Sequence, residues 1–322
     1  MSQLAEFAEK VHESSKREEN RQLSAVNYSA KSDRCTNIRA VICDVYGTLV
    51  DYWRDDFIDP HNKQDTLLKA FLAAAEQFSM TVSIKNTNPS DPPEKTLNDF
   101  YHGLIALRHE QAKKRGVAFP EIQIEEIWEL IITILKRHGY SPELDRGESI
   151  RDFSRKVAWF YNFQALGRKL YPGVTAALEA LRNKNMVIGL LSNAQFYTPI
   201  DLTLFIRDQS AGKYEDIFEL FDVDLTFFSY EYRIAKPHNL LFRKLFDALY
   251  EFQILPEQTI FIGNDLAIDI APAAEVGMKT ALFTGDSKST FIHDRAGNVI
   301  PDITFTSWTD LPDLLYFHNG GN

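Results

Sequence analysis

Apolar positions along this chain follow two different rhythms. From Thr66 to Phe78, Leu67, Leu68, Phe71, Leu72 and Ala75 share one helical face. Phe100–Lys114 carries a similar stripe, as does Ile124–His138 through Ile124, Ile127, Trp128, Ile131, Ile132 and Leu135. Asp152–Gln164, with Phe153, Val157, Phe160 and Tyr161, predicts a further helix, and the run from Asn86 to Pro93 between the first two predicts a loop. Elsewhere the apolar runs are short and continuous: Ala40–Cys43, Met186–Leu191, Leu225–Ser229, Thr259–Ile262 and Thr280–Phe283. Such runs fit strands buried on both faces of a parallel sheet. Amphipathic helices at Val174–Asn183, His238–Tyr250 and Ile270–Val276 alternate with them.

This order predicts an α/β fold, a doubly wound parallel sheet over residues 36–52 and 168–318, interrupted by a helical domain over residues 53–167. Thr198–Gly212 reads as an additional loop or short helix that the fold does not require. Residues 1–35 form a polar extension in which Leu4, Phe7, Ala8 and Val11 fall at helical spacing, open to packing on the core, to a partner or to mobility. The closing Gly320-Gly321-Asn322 is expected to fray. The Trp and Phe positions of the helical segment are expected in its core.

Composition narrows the function more than the fold. Of 322 residues, 44% are hydrophobic and 25% charged, and the formal net charge is −10. That charge, without a long basic run, argues against nucleic acid or an anionic membrane as partner. An anionic substrate must therefore be drawn in by local positive groups. No apolar segment approaches the roughly 20 residues of a membrane helix, and the first residues lack a signal-peptide core. Cys35 and Cys43 are the only cysteines, one inside a strand, so no disulfide framework is expected. Cytoplasm is the default location.

Chemistry concentrates at the strand ends. Ala40–Cys43 runs into Asp44, and Gly47-Thr48 follows after the two intervening residues Val45-Tyr46. Ligands of open α/β sheets bind beyond the carboxyl ends of the strands, so Asp44 is a candidate nucleophile, beside the plainer possibility of a turn-forming Asp. Gly47 admits close backbone approach to a ligand. Ser192-Asn193 ends the second strand, where a hydroxyl and exposed amides can donate to an anion, or equally cap a helix. Lys236-Pro237 stands before an amphipathic helix, and the Pro pushes Lys236 out of helical geometry so that its side chain can cross a cleft. Gly263-Asn264-Asp265-Leu266-Ala267-Ile268-Asp269 sets two carboxylates four apart beyond an apolar strand, hard oxygen ligands of the kind Mg²⁺ takes.

Together these four segments, from about Ile38 to Leu315, resemble the motifs of the haloacid dehalogenase superfamily in their order. The resemblance implies a hydrolase with a helical cap inserted after the first motif, although this segment is longer than a compact cap. It implies Asp44 as nucleophile, Lys236 as counter-charge, and Gly47, Thr48, Ser192 and Asn193 as groups binding a small anionic substrate. In the phosphatase branch it further implies Mg²⁺ held by Asp44, the main chain of Tyr46 and Asp265, with Asp269 orienting Lys236 or metal waters. Two departures divide the branches. Tyr46 stands where phosphatases carry a second Asp as acid and base, and a phenol of reference pKa about 10 is a poor base near neutrality. Tyr there is similar to the 2-haloacid dehalogenases, in which a departing halide needs no proton. Asn264 stands where the first acid of the fourth motif is expected, leaving the metal role open between Asp265 and Asp269. The expectation is a Mg²⁺-dependent phosphohydrolase, with Asp44, Asp265 and Asp269 converging where a cation or Lys236 must offset their repulsion. The alternatives are a metal-independent 2-haloacid dehalogenase, with Arg54 and Arg108 as possible carboxylate clamps, and a weakly active binding or scaffold module.

Overall fold

The computed structural model describes residues 2–15, 22–52, 60–292 and 299–316. Arg54 and the C-terminal Gly320-Gly321-Asn322 lie outside the described residues. The chain divides into two compact units: residues 1–21 with 53–168, and residues 22–52 with 169–322.

The second unit is built on a six-stranded sheet. Its strands are β1 (Ala40–Cys43), β2 (Val187–Ser192), β3 (Thr226–Phe228), β4 (Thr259–Gly263), β5 (Lys279–Phe283) and β6 (Ile303–Phe305). They lie in the order β3-β2-β1-β4-β5-β6, every pairing parallel. All four residues of β1 are buried, as a central strand covered on both faces must be. The sheet order reverses between β1 and β4, so the crevice beyond their carboxyl ends is where ligands of such sheets bind. β6 exceeds the five strands that apolar runs predict; its three residues set a half-buried Thr304 between Ile303 and Phe305, so no continuous apolar run reveals it. A two-residue antiparallel pair, Val50–Asp51 with Lys169–Leu170, stands where the chain leaves and re-enters this unit.

The first unit is helical: α1 (Gln3–Ser14), α2 (Pro60–Gln77), α3 (Thr81–Thr87), α4 (Pro93–Lys114), α5 (Ile124–Lys136) and α6 (Ile150–Ala165). α3 occupies the start of what the sequence presents as loop. Trp128 and Trp159 are fully buried here, and Phe71 stacks on Tyr161 with centroids 4.1 Å apart. α6 begins with a capping box in which Ser149 and Asp152 satisfy each other's backbone.

The N-terminal extension is not one piece. α1, capped by Ser2, places Phe7 edge-on to Trp159 at 6.0 Å and so belongs to the helical unit. Residues beyond it belong to the α/β unit through main-chain bonds, Val26 N–H to Thr284 O at 2.8 Å and Ser32 N–H to Asp302 O at 2.9 Å. Both cysteines are buried free thiols. Among the described residues no single helix is long and apolar enough to cross a membrane.

Candidate active site

The residues singled out at the strand ends meet within the α/β unit. β1 delivers Asp44, whose amide donates to Ile262 O of β4 at 2.8 Å. Gly47 follows with φ +83, and a Cβ there would sit 2.4 Å from Asn264 Nδ2 and 3.2 Å from Ser289 Cβ. The turn therefore needs glycine twice, for its left-handed backbone and for the approach of Asn264. Gly47→Ala is expected to destabilise the protein by about 1–3 kcal/mol. An unchanged denaturation midpoint would show that Asn264 yields without cost.

Lys236 is the centre of charge. Its Nζ lies 2.6 Å from Asp44 Oδ1 and 2.6 Å from Asp269 Oδ1, and all three groups are buried. Burial alone would lower the ammonium's pKa, but the charges of Asp269 and Asp44 outweigh it and hold Lys236 protonated. Burial raises Asp269 instead, to about 7, against the pull of Lys236 and with Asp44 adding to the rise. Asp269 Oδ2 accepts the amides of Asn264 and Asp265 at 3.2 and 3.1 Å. Asp269 thus orients Lys236 and closes the fourth-motif loop at once. Gly263 makes room for it, since a Cβ there would lie 2.5 Å from Asp269 Oδ2.

Ser192 Oγ is buried and has no hydrogen-bond partner among the described residues. Such a hydroxyl is ready to donate to an incoming anion. Asn193 is arranged differently from a substrate ligand. Its Nδ2 donates to Lys236 O at 3.2 Å and its Oδ1 accepts Lys236 N–H at 2.6 Å, so its side chain pins the main chain that carries the ammonium. Thr48 is turned onto the other carboxylate oxygen, Oγ1 lying 3.2 Å from Asp44 Oδ2 and 3.0 Å from Asn264 Oδ1. The Tyr46 hydroxyl pairs with Thr198 Oγ1 at 2.9 Å. Thr198 opens a twelve-residue helix, Thr198–Gln209, so the stretch that the sequence presents as dispensable carries the partner of Tyr46. Arg108 lies in α4 of the helical unit.

The three carboxylates expected to converge do act on one another, since the charges of Asp44 and Asp265 both add to the rise of Asp269, and the cation between Asp44 and Asp269 is Lys236. Among the described residues no three Asp, Glu, His or Cys side chains are grouped to hold a metal ion. Asp265 Oδ1 accepts the amides of Ala267 and Ile268 at 2.7 and 3.1 Å, capping the turn that follows. The side chain that reaches Gly47 and Thr48 is instead the neutral amide of Asn264, its oxygen committed to Thr48 and its nitrogen to Ser289 O. An ammonium already lies against Asp44 Oδ1. A dication wants uncommitted anionic oxygens, and Asp44 Oδ1, Asp265 Oδ1 and Asn264 Oδ1 are each already engaged by donors of the protein.

Sequence reasoning also missed what lies behind Asn264. Tyr171, Asp286 and Ser289 are buried together, with Tyr171 Oη donating to Asp286 Oδ2 at 2.7 Å. Only the Gly285-Asp286 turn after β5 hinted at them. Trp308 Nε1 donates to Thr48 O at 2.9 Å, holding the motif-one turn from the far end of the sequence.

Known proteins resemble this chain in sequence and in fold. The phosphoglycolate phosphatase of Cereibacter sphaeroides is 28% identical over 186 residues, 58% of this chain and 75% of that protein. The 2-haloacid dehalogenase of Pseudomonas syringae pv. tomato shares the fold, with a TM-score of 0.52 at 18% identity over 86% of this chain and 97% of that one. The sequence pattern of haloacid dehalogenase-like hydrolases matches residues 38–277, which take in Asp44, Ser192, Lys236 and Asp269. The chain belongs to the haloacid dehalogenase-like hydrolase family.

Proposed function

We propose that this protein hydrolyses a small 2-haloacid without a metal, through an ester on Asp44. The observation that carries this reading is the pairing of Tyr46 with Asn264. Tyr46 replaces the acid and base that the phosphatase branch carries two residues after its nucleophile, and Asn264 replaces the first acid of its fourth motif. Asp44 attacks the carbon bearing the halogen; the C–O bond forms as the carbon–halogen bond breaks, and halide leaves with the bonding pair. No proton is needed at that step, which suits a phenol at position 46. Ser192 Oγ and the Lys236 ammonium supply the positive side of an anion site. When Asp44 becomes a neutral ester, Asp269 remains to balance Lys236 at 2.6 Å. Water then adds at Cγ of Asp44, the acyl C–O bond breaks, and 2-hydroxy acid and one proton are released as the carboxylate returns.

A second reading, a Mg²⁺-dependent phosphohydrolase, is supported by the 28% identity to a phosphoglycolate phosphatase. One experiment separates them. The protein is incubated with 2-chloropropionate and with 4-nitrophenyl phosphate, each in EDTA and in Mg²⁺. Chloride release that EDTA leaves undiminished, with no phosphate release, is the expected result. Phosphate release that needs Mg²⁺, with no chloride, would establish the second reading, and release of neither would favour a binding module.

A further inference from the structure

The site rests on a polar cluster that the reaction above does not use. Asp286 Oδ2 accepts from Tyr171 Oη at 2.7 Å and from Ser289 Oγ at 3.0 Å, and its Oδ1 accepts Lys288 N–H at 3.1 Å. Tyr171, Asp286 and Ser289 are each no more than 1% exposed. A carboxylate so buried persists only when its oxygens are satisfied, and these donors fix the Asp286–Phe291 turn. The turn is stitched to the fourth-motif loop by Phe291 N–H to Asn264 O at 2.9 Å and Leu266 N–H to Phe291 O at 3.0 Å. From it the Ser289 carbonyl points at Asn264 Nδ2, 2.5 Å away.

That contact decides which way Asn264 faces. A carbonyl only accepts, so the NH₂ of Asn264 must meet Ser289 and its Oδ1 must meet Thr48. A carboxylate at position 264 would set two acceptors against each other at this distance. Thr48 has one hydroxyl hydrogen and two acceptors in reach, Asn264 Oδ1 at 3.0 Å and Asp44 Oδ2 at 3.2 Å. Asp44 Oδ1 is taken by Lys236, so Oδ2 is the oxygen left to attack.

We propose that Asp286, with Tyr171 and Ser289, is a positioning residue for the nucleophile: it fixes Asn264 as the alternative acceptor for Thr48, which releases Asp44 Oδ2 to form the ester. The kinetic side of this inference rests on the reading of Asp44 as the nucleophile; the structural side does not. Without the cluster, Asn264 loses its orientation, and Thr48 remains on Oδ2 and blocks it.

Two measurements test this. In single turnover with 2-bromopropionate, Asp286→Ala is expected to slow bromide release about tenfold, the worth of one hydrogen bond held in the wrong place. Asp286→Asn, which keeps an acceptor for Tyr171 and Ser289, should stay within a few-fold of the parent. Measured against Thr48→Val alone, Asp286→Ala should cost little further, because the blocking hydroxyl is already gone; a merely structural role for Asp286 gives the same tenfold loss in both backgrounds and would overturn the proposal. Should Asp286→Ala not fold, Asn264→Ala removes the same acceptor and is expected to show the same loss in the parent and little further loss beside Thr48→Val. Independently of turnover, a crystal structure of the Asp286→Ala or Asp286→Asn protein reports the Asn264 side chain. Asn264 Nδ2 released from Ser289 O in the Ala variant and retained in the Asn variant is the expected outcome. Asn264 unmoved in the Ala variant would sink the idea even if the parent enzyme turns over haloacids normally. If the parent releases no bromide at all, the proposed function falls, and the crystal structures still decide this inference.

Discussion

Asp44→Asn is expected to lose activity by about 10⁴-fold or more while keeping the fold. The magnitude is that of removing a nucleophile that acts as one unit with its neighbours. The amide is nearly isosteric, so Lys236 Nζ keeps an oxygen where Asp44 Oδ1 lay and retains Asp269 at 2.6 Å as its counter-charge. Asp44's charge is one of the causes that raise Asp269, so its removal eases Asp269 back toward the ordinary carboxylate range. Thermal denaturation of the variant should therefore match or exceed the parent. The complementary measurement is a single turnover of the parent in ¹⁸O water. Attack of water at Cγ places the label in Asp44 itself, seen as a two-dalton shift in its peptide. Activity within tenfold of the parent in Asp44→Asn, or no label in Asp44 despite turnover, would remove this residue from the chemistry.

Lys236→Met is expected to cost both turnover and stability. The methionine retains the apolar stem but leaves Asp44 and Asp269 buried with no cation between them. Removing one partner of a buried ionic cluster typically costs about 3–5 kcal/mol, and loss of a preorganised charge at a reacting centre about 10²–10³-fold in rate. The pH dependence distinguishes this from lost packing. Without the ammonium the two carboxylates repel, and Asp269, which already stands at about 7 with Lys236 present, rises further above its unfolded value. A carboxyl raised on folding is least harmful when protonated, so the stability gap between variant and parent should narrow as pH falls from about 8 to about 5. A gap that does not change with pH would mean that Lys236 contributes packing alone.

How much of this was readable in the sequence depended on whether a feature has a one-dimensional trace. β1, β2 and β4 did, because burial on both faces forces continuous apolar runs, and the polar residue ending each run marked Asp44, Ser192 and the Asn264 loop. β6, three residues long, and α3, written in Thr, Ser and Asn, had none. The division of the N-terminal extension was equally hidden: Val26 and Ser32 are held by main-chain bonds, which any residue can make. In the site, Asn193 looked like a substrate ligand since its partner, Lys236, is 43 residues away in sequence. Asn264 looked like a missing acid because Ser289, whose carbonyl demands an amide there, is known only from the fold. Spacing revealed which residues carry charge at the strand ends; it did not reveal which neighbours had already claimed their oxygens.

The antiparallel pair of Asp51 with Lys169 has an implication for the segment between them. Partners across an antiparallel ladder lie about 5 Å apart, a span that a two-residue turn can bridge. The helical segment thus hangs from a hairpin neck whose width is independent of what is spliced into it. Each doubling of a flexible insert adds only about 0.6 kcal/mol of closure entropy. The α/β unit can therefore carry a longer, a shorter or a different segment between Asp51 and Lys169 with little change in what closing the neck costs.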